Sequence, residues 1–124
     1  MPNQLLKFFP TQVASFFIGG DVIEDKQTFL TEFAEKLKFP NYFGMNWDAF
    51  SDCLTDLSWI DSGNDFLIVY KNSQKFRAHQ PEDWQIANEI LLEAMMDYWN
   101  EQGEKDGDFF VVVFVTQKAA TKNL

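Results

Sequence analysis

Apolar residues follow two different spacings along the chain, and the spacings alternate between those of strands and those of helices. Short continuous apolar runs predict strands over residues 13–18, 66–70 and 109–115. Apolar residues three and four positions apart predict amphipathic helices over residues 25–38, 46–57 and 81–101. The intervening polar stretches 71–80 and 103–108 are interpreted as a loop and a turn.

This order of elements predicts one α/β domain over residues 1–124. Strand, helix, helix, strand, helix, strand is typical of a small parallel sheet, here of three strands, joined by right-handed crossovers and packed against helices. Residues 109–115 are apolar throughout, so we expect them to form the centre of the sheet or a strand covered on both faces. Residues 1–12 and 117–124 are expected to be loosely attached termini.

The helix predicted over residues 46–57 separates apolar from acidic positions. Asn46 is a favourable N-cap, and Asp48 lies in the first turn, where the helix dipole favours an anion. Asp48, Asp52 and Asp56 recur every four residues, opposite the apolar side. Like charges at this spacing cost roughly 0.2–0.5 kcal/mol per pair, so the row does not help the fold. Two interpretations stay open at this point: a solvated helix face, and a surface that an external partner neutralises.

The loop before this helix places aromatic residues beside the acidic row. Pro40 is expected to end the preceding helix, and Gly44 to supply a turn with positive φ. Tyr42 and Phe43 lie between them, next to the start of the acidic helix.

The net charge of the chain indicates which class of partner it can bind. The formal net charge is −9 and the pI is near 4.4. Such a balance argues against binding nucleic acid or an anionic membrane, and it favours a basic partner. Many cytosolic proteins are acidic for solubility alone, so the placement of the acids carries the argument.

The cysteine count and the apolar runs predict a cytoplasmic location. Cys53 is the single cysteine, which excludes an internal disulfide and suits a reducing compartment. No run approaches the ~20 apolar residues of a membrane span. The first residues do not follow the pattern of a signal peptide, so none is expected.

Catalytic and metal chemistry find little support in the sequence. Carboxylates opposite the apolar side of a helix lie on a convex surface, whereas acid–base catalysis needs a cleft. Asp48 and Asp52 could hold a cation only with further ligands, and none are visible. His79 is interpreted as a surface residue and Cys53 as a core residue. We expect no enzyme activity, no metal and no cofactor.

Residues 39–54 resemble the signature of the barstar family, intracellular inhibitors of the ribonuclease barnase. The matching pattern is Phe-Pro-x-Tyr-Phe-Gly-x-Asn-Trp-Asp-Ala-Phe-x-Asp-Cys-Leu. The resemblance implies a three-stranded parallel sheet packed against helices. It also implies that the acidic helix and its preceding loop plug the basic active site of a nuclease.

The resemblance assigns roles to individual residues. Tyr42, Asp48 and Asp52 match contact positions of the family, and Asp52 is the expected central anchor. Gly44 and Asn46 match positions that aim the surface, and Phe43 belongs to the same loop. The remaining candidates, which the pattern does not match directly, are Asp56, Trp59, and either Glu101 or Asp97.

Two departures from the pattern concern the target. Ser51 stands where the family has an aromatic contact. After Leu54 the family continues with Thr-Gly-Trp, whereas this chain continues with Thr-Asp-Leu, and Trp59, two residues later, is the candidate for that second aromatic. The implied partner is a basic, extracellular-type ribonuclease similar to barnase, or a related basic toxin. The alternative is an acidic adaptor or immunity-type module for another basic partner, without ribonuclease inhibition.

Overall fold

Three parallel strands form the sheet on which the fold is built. The computed structural model describes residues 13–61, 65–99 and 109–116. Within these ranges the strands are β1 (Ala14–Gly19), β2 (Asp65–Lys71) and β3 (Phe109–Val115). All pairings are parallel, and the order across the sheet is β1-β2-β3. The predicted three-stranded parallel sheet is confirmed.

The centre of the sheet is β2, so the prediction that residues 109–115 form it is wrong. β3 is an edge strand, and Val113, Phe114 and Val115 are 39%, 40% and 39% exposed. An apolar run shows that a strand has little polar surface, but it does not show how many neighbours the strand has. The runs of β2 and β3 are alike in this respect, and only the path of the chain distinguishes them.

Within the same ranges, four α-helices accompany the sheet. They are α1 (Lys26–Lys36), α2 (Trp47–Leu54), α3 (Gln74–His79) and α4 (Pro81–Glu93). A short 3-10 turn at Gly20–Val22 follows β1, and a π-helical segment at Ala94–Trp99 continues α4. The interpretation of residues 71–80 as a loop is wrong, because α3 lies within them. α3 is held by Phe76, which is completely buried.

α1 begins with a reciprocal cap at Asp25. The backbone N–H of Thr28 donates to Oδ1 of Asp25 at 2.8 Å, and the N–H of Asp25 donates to Oγ1 of Thr28 at 3.1 Å. The bond from the Thr28 N–H lowers the pKa of the Asp25 carboxyl, because it stabilises the charged form. This cap fixes where α1 starts.

A buried carboxylate joins α1 to the end of β1. Oε2 of Glu32 accepts from the backbone N–H of Gly19 at 2.9 Å and from Nζ of Lys36 at 2.8 Å. The Glu32 side chain is 8% exposed. The bond satisfies a half-buried backbone donor at the end of an edge strand, which would otherwise be without this partner.

All four helices pack on one face of the sheet. Their buried side chains share a single core with the inward-facing residues of the strands, among them Ile18, Ile68 and Phe110. Aromatic rings fill much of it, and the rings of Phe29 and Phe33 lie 4.5 Å apart. A β1-β2-β3 order with both crossovers of the usual hand produces this one-sided arrangement, since each connection passes over the same face.

We call the opposite side of the sheet the outer face. Side chains alternate along each strand, so the outer face carries every second residue. Its apolar members are Phe17, Leu67, Val69, Val111, Val113 and Val115. Among the described residues, none of these side chains belongs to the core or packs against it.

α4 begins as predicted, but its α-helical part ends before the predicted residue. Pro81 occupies its first turn with Glu82 and Asp83. The α-helix stops at Glu93, and the π-helical segment follows to Trp99. Within that segment, Sδ of Met95 accepts from the backbone N–H of Val112 at 3.4 Å, which ties it to β3.

Several predictions fall on residues outside the described ranges. These are the loose termini at 1–12 and 117–124, the turn at 103–108 and the contact at Glu101. Among the helices that are described, none has the length and apolar composition needed to cross a membrane.

Candidate protein-binding surface

The start of α2 is fixed by its own cap. Oδ1 of Asn46 accepts from the backbone N–H of Ala49 at 2.7 Å, and Asp48 lies in the first turn. Phe50, Cys53 and Leu54 are buried. The predicted cap and the predicted apolar side are therefore confirmed, and the core holds α2 in one orientation.

The end of α2 comes earlier than predicted. The helix stops at Leu54, where Oγ1 of Thr55 donates to the carbonyl of Ser51 at 2.9 Å. Leu57 then adopts a left-handed conformation with φ 50°, which ends any continuation. Asp56 therefore lies in the turn after the helix. The expectation that it forms a third helical carboxylate is wrong.

Asp48 and Asp52 form an acidic pair on the solvent side of α2. Both are exposed, and so is Asp56 beyond the helix end. Across the described ranges, no lysine or arginine forms an ion pair with any of the three. The pair thus projects negative charge from a helix whose other side is fixed in the core.

The loop that precedes α2 has inward anchors and one prominent outward residue. We call residues 39–45 the aromatic loop. The rings of Phe39 and Phe43 meet edge to face at 5.0 Å, and both pack against the core. The backbone N–H of Phe39 donates to the carbonyl of Ala34 at 2.9 Å. Tyr42 is 74% exposed, so it is displayed on a supported loop.

The positive φ that was predicted at Gly44 occurs instead at its neighbour Met45, with φ 54°. Gly44 is needed for a different reason. Nδ2 of Asn46 donates to the Gly44 carbonyl at 3.2 Å, and a Cβ on Gly44 would lie only 3.1 Å from that nitrogen. A side chain at Gly44 would thus crowd the residue that caps α2.

Trp59 supports the aromatic loop from beneath. Its indole N–H donates to the carbonyl of Leu37 at 2.9 Å, and its ring lies edge to face with Phe39 at 5.9 Å. The side chain is half-buried against the core. A contact between Trp59 and a partner stays a prediction, because its observed contacts are internal.

The other predicted contact, on the last long helix, cannot be placed. Glu101 and the side chain of its alternative, Asp97, lie outside the described residues.

A lysine and a cleft at the start of α2 were not found from the sequence. Nζ of Lys26 lies 5.5 Å from the centre of the Trp47 ring. A cleft of about 340 Å³ opens beside it, lined by Lys26, Gln27, Leu30 and Met45. The start of α1 meets the start of α2 here. The spacing of residues within either segment does not predict a contact between the two segments.

The side chains considered for catalysis or metal binding have simpler roles. Cys53 is buried, and this burial raises the pKa of its thiol, with the nearby Asp56 and Asp52 carboxylates acting in the same direction. His79 is exposed, with Nδ1 2.8 Å from the Lys75 carbonyl. In the described part of the chain, no three His, Cys, Asp or Glu side chains are grouped as a metal site requires.

Comparison with known proteins gives two matches. Residues 13–114 match the family model described as Barstar (barnase inhibitor). The chain is also 32% identical over 87 residues to a Bacillus subtilis (strain 168) protein named "Putative ribonuclease inhibitor YrdF". That alignment covers 68% of this chain and 88% of the relative. The family match begins next to β1 and includes the aromatic loop and α2.

Proposed function

Because this chain belongs to the barstar family, we propose that it is a ribonuclease inhibitor that blocks the basic active site of a barnase-like enzyme. The single observation that carries the proposal is the acidic pair, Asp48 and Asp52, which is exposed on a fixed helix and forms no ion pair with a lysine or arginine of the described ranges. The relative's printed name points to the same activity.

The chemistry of the acidic pair suits a nuclease site. A ribonuclease binds the phosphates of RNA with Lys, Arg and His side chains, and carboxylates can take the places of those phosphates. Side chains at i and i+4 have Cβ atoms about 5–6 Å apart, so α2 presents two anions at a fixed separation. A rigid display of this kind loses little conformational entropy on binding.

The other residues of the surface have supporting roles in the proposal. Asp52 is the central anchor, and Asp56 lies at the rim. Tyr42 contributes a broad contact through its exposed ring. Phe43, Gly44 and Asn46 act indirectly, since they hold the loop and the start of α2.

The proposed role implies a location in the cell. A free, buried cysteine suits a reducing compartment, so we place the inhibitor in the cytoplasm. There it protects cellular RNA from a ribonuclease that is made for export or that arrives as a toxin. The chain itself acts as a binding protein and not as an enzyme.

The test is inhibition of RNA cleavage. The chain is added in increasing amounts to a barnase-like ribonuclease, and we expect activity to fall to the baseline near a 1:1 molar ratio. The double variant Asp48→Asn with Asp52→Asn should lose this inhibition. Glu89→Gln is the matched control, because it removes an exposed carboxylate on α4. Binding without inhibition would favour the adaptor function instead.

Salt dependence tests the electrostatic part of the proposal. The Debye length falls from about 10 Å at 0.1 M salt to about 3 Å at 1 M. The association rate measured by stopped flow should therefore fall roughly ten- to a thousandfold over this range. The dissociation rate should change far less, because desolvated pairs are poorly screened. An association rate that does not change with salt would rule out electrostatic capture.

A further inference from the structure

The cleft at the start of α2 combines an apolar wall with hydrogen-bond donors. Its volume is about 340 Å³, and it is lined by Lys26, Gln27, Leu30 and Met45. Leu30 and Met45 supply the apolar wall, while the ammonium and amide groups of Lys26 and Gln27 donate hydrogen bonds. One water molecule takes about 30 Å³ in the liquid, so the cleft has room for a whole side chain. It suits a side chain with an apolar stem and an anionic end.

The positive charge of Lys26 is held in place without being neutralised. Its Nζ lies 5.5 Å from the centre of the Trp47 ring, and a ring face attracts a cation but carries no net charge. In the described ranges Lys26 forms no ion pair with an acid. It is also the first residue of α1, where the helix dipole disfavours a cation. The charge of Lys26 is therefore available to an anion from outside.

The cleft adjoins the surface that the proposed function uses. Met45 is the last residue of the aromatic loop, and Asn46, the cap of α2, follows it directly. Along α2, the five residues from Trp47 to Asp52 rise only about 7.5 Å. A standard protein interface takes about 800 Å² from each partner, which is a patch roughly 30 Å across. One partner that covers Asp52 can therefore reach the cleft as well.

Charge complementarity selects the kind of anion. Lysine binds carboxylates and phosphates alike, but a net charge of −9 repels the phosphates of free nucleic acid. A carboxylate on the surface of a basic ribonuclease does not meet this obstacle, because the acidic pair attracts the enzyme that carries it. The occupant that fits both the cleft and the charge of the chain is thus an acidic side chain of the protein partner.

We propose, on the basis of the proposed function, that the cleft receives an aspartate or glutamate side chain from the border of the ribonuclease active site. Its carboxylate pairs with Nζ of Lys26, and its stem packs on Leu30 and Met45. Lys26 is then a specificity-determining residue. Two carboxylates of α2 recognise the basic site, and one cation selects those basic ribonucleases that carry an acid beside it.

Substitutions of Lys26 test this pairing through the direction of the change in affinity. The probe is the barnase-like ribonuclease used to test inhibition. Lys26→Gln should weaken binding roughly five- to fiftyfold, Lys26→Glu should weaken it further, and Lys26→Arg should keep most of the affinity. An enzyme surface that is basic throughout would give the opposite result, because removing a cation from the inhibitor would then tighten binding. Unchanged or tighter binding by Lys26→Gln would overturn the proposal.

Lys71→Gln is the matched control. The Nζ of Lys71 lies 5.4 Å from the centre of the Phe17 ring, on the outer face of the sheet. The control therefore removes the same charge and the same kind of ring contact, away from α2. It should not weaken binding, and urea unfolding verifies that both variants are folded under the conditions of the measurement. Equal losses of affinity in the two variants would overturn the proposal.

A double-mutant cycle across the interface identifies the acid on the enzyme. Each exposed aspartate or glutamate that borders the ribonuclease active site is replaced in turn by asparagine or glutamine. One replacement should weaken binding to the parent roughly two- to a hundredfold more than binding to Lys26→Gln. If no acid is coupled to Lys26 while the parent still inhibits, this proposal fails and the proposed function stands. A parent that does not bind the enzyme would overturn the proposed function, and this inference with it.

Discussion

α1 and α2 are neighbouring helices that use their carboxylates in opposite ways. In α1, Glu32 is buried and accepts from both a backbone N–H and a lysine, and Asp25 closes the cap. In α2, Asp48 and Asp52 are exposed and form no ion pair with a lysine or arginine of the described ranges. The carboxylates of Asp25 and Glu32 have hydrogen-bond donors within the chain. Those of Asp48 and Asp52 form no ion pair in the described ranges.

This difference separates charges that serve folding from charges available to a partner. A buried carboxylate must be hydrogen-bonded, since its desolvation is otherwise too costly. An exposed carboxylate beside another one slightly destabilises its helix, and it is useful only if something outside neutralises it. Substitutions in the two helices should therefore change different measurable quantities.

The largest expected effect is on binding by α2. Asp52→Ala should weaken binding to the target ribonuclease by more than about 2 kcal/mol, because it leaves the partner's cations buried and unpaired. The free energy of unfolding should hardly change. Titration calorimetry measures the binding, with Glu89→Gln as the control. An affinity within twofold of the parent would remove Asp52 from the central position.

The next effect is on stability, through α1. Glu32→Ala should lower the free energy of unfolding by about 1–3 kcal/mol, since the half-buried N–H of Gly19 loses its acceptor. Lys36→Ala should cost much less, because the Lys36 side chain is half-exposed. Urea unfolding measures both. Under conditions where the variant stays folded, its affinity for the ribonuclease should match that of the parent.

A substitution of Tyr42 should have a smaller effect, and this effect should be on binding and not on stability. Tyr42→Ala should weaken binding by about 1 kcal/mol, mainly through faster dissociation, as interface substitutions usually do. The side chain is 74% exposed, so the fold should be unaffected. Surface plasmon resonance separates the two rates. A large loss of stability in this variant would show that the ring serves the fold.

The smallest effect has the opposite sign to that of Glu32→Ala. Asp52→Asn should raise the free energy of unfolding by roughly 0.2–0.5 kcal/mol, because it relieves repulsion from Asp48. It also removes a negative charge from the last turn of α2, where the helix dipole disfavours one. Thermal unfolding at low and high salt is the measurement. The gain should shrink as salt screens the charges, and a loss of stability would contradict the comparison.

The sequence predicts the parts of the fold that depend on local chemistry. Strand positions, the Asn46 cap and the placement of Pro81 follow from spacing and from the properties of single residues. α3 could not be found in this way. It has six residues and one buried side chain, Phe76, so it has no helical periodicity to detect.

The remaining differences depend on contacts between distant residues. The order of the strands is set by where each crossover places the chain, which no single run reveals. The positive φ lies at Met45, between Gly44 and Asn46, whose side chain bonds back to the Gly44 carbonyl. The acidic pair was predictable because both residues lie on one short helix, whereas Asp56 was misplaced by the early end of that helix.

The construction of the aromatic loop has an evolutionary consequence. Its anchors, Phe39 and Phe43, pack inward on the core, while Asn41 and Tyr42 face solvent. Mutations at the outward positions can therefore accumulate without a penalty to folding. On the proposed function, a lineage can therefore change the outward residues to fit a new ribonuclease while the anchors keep the same scaffold.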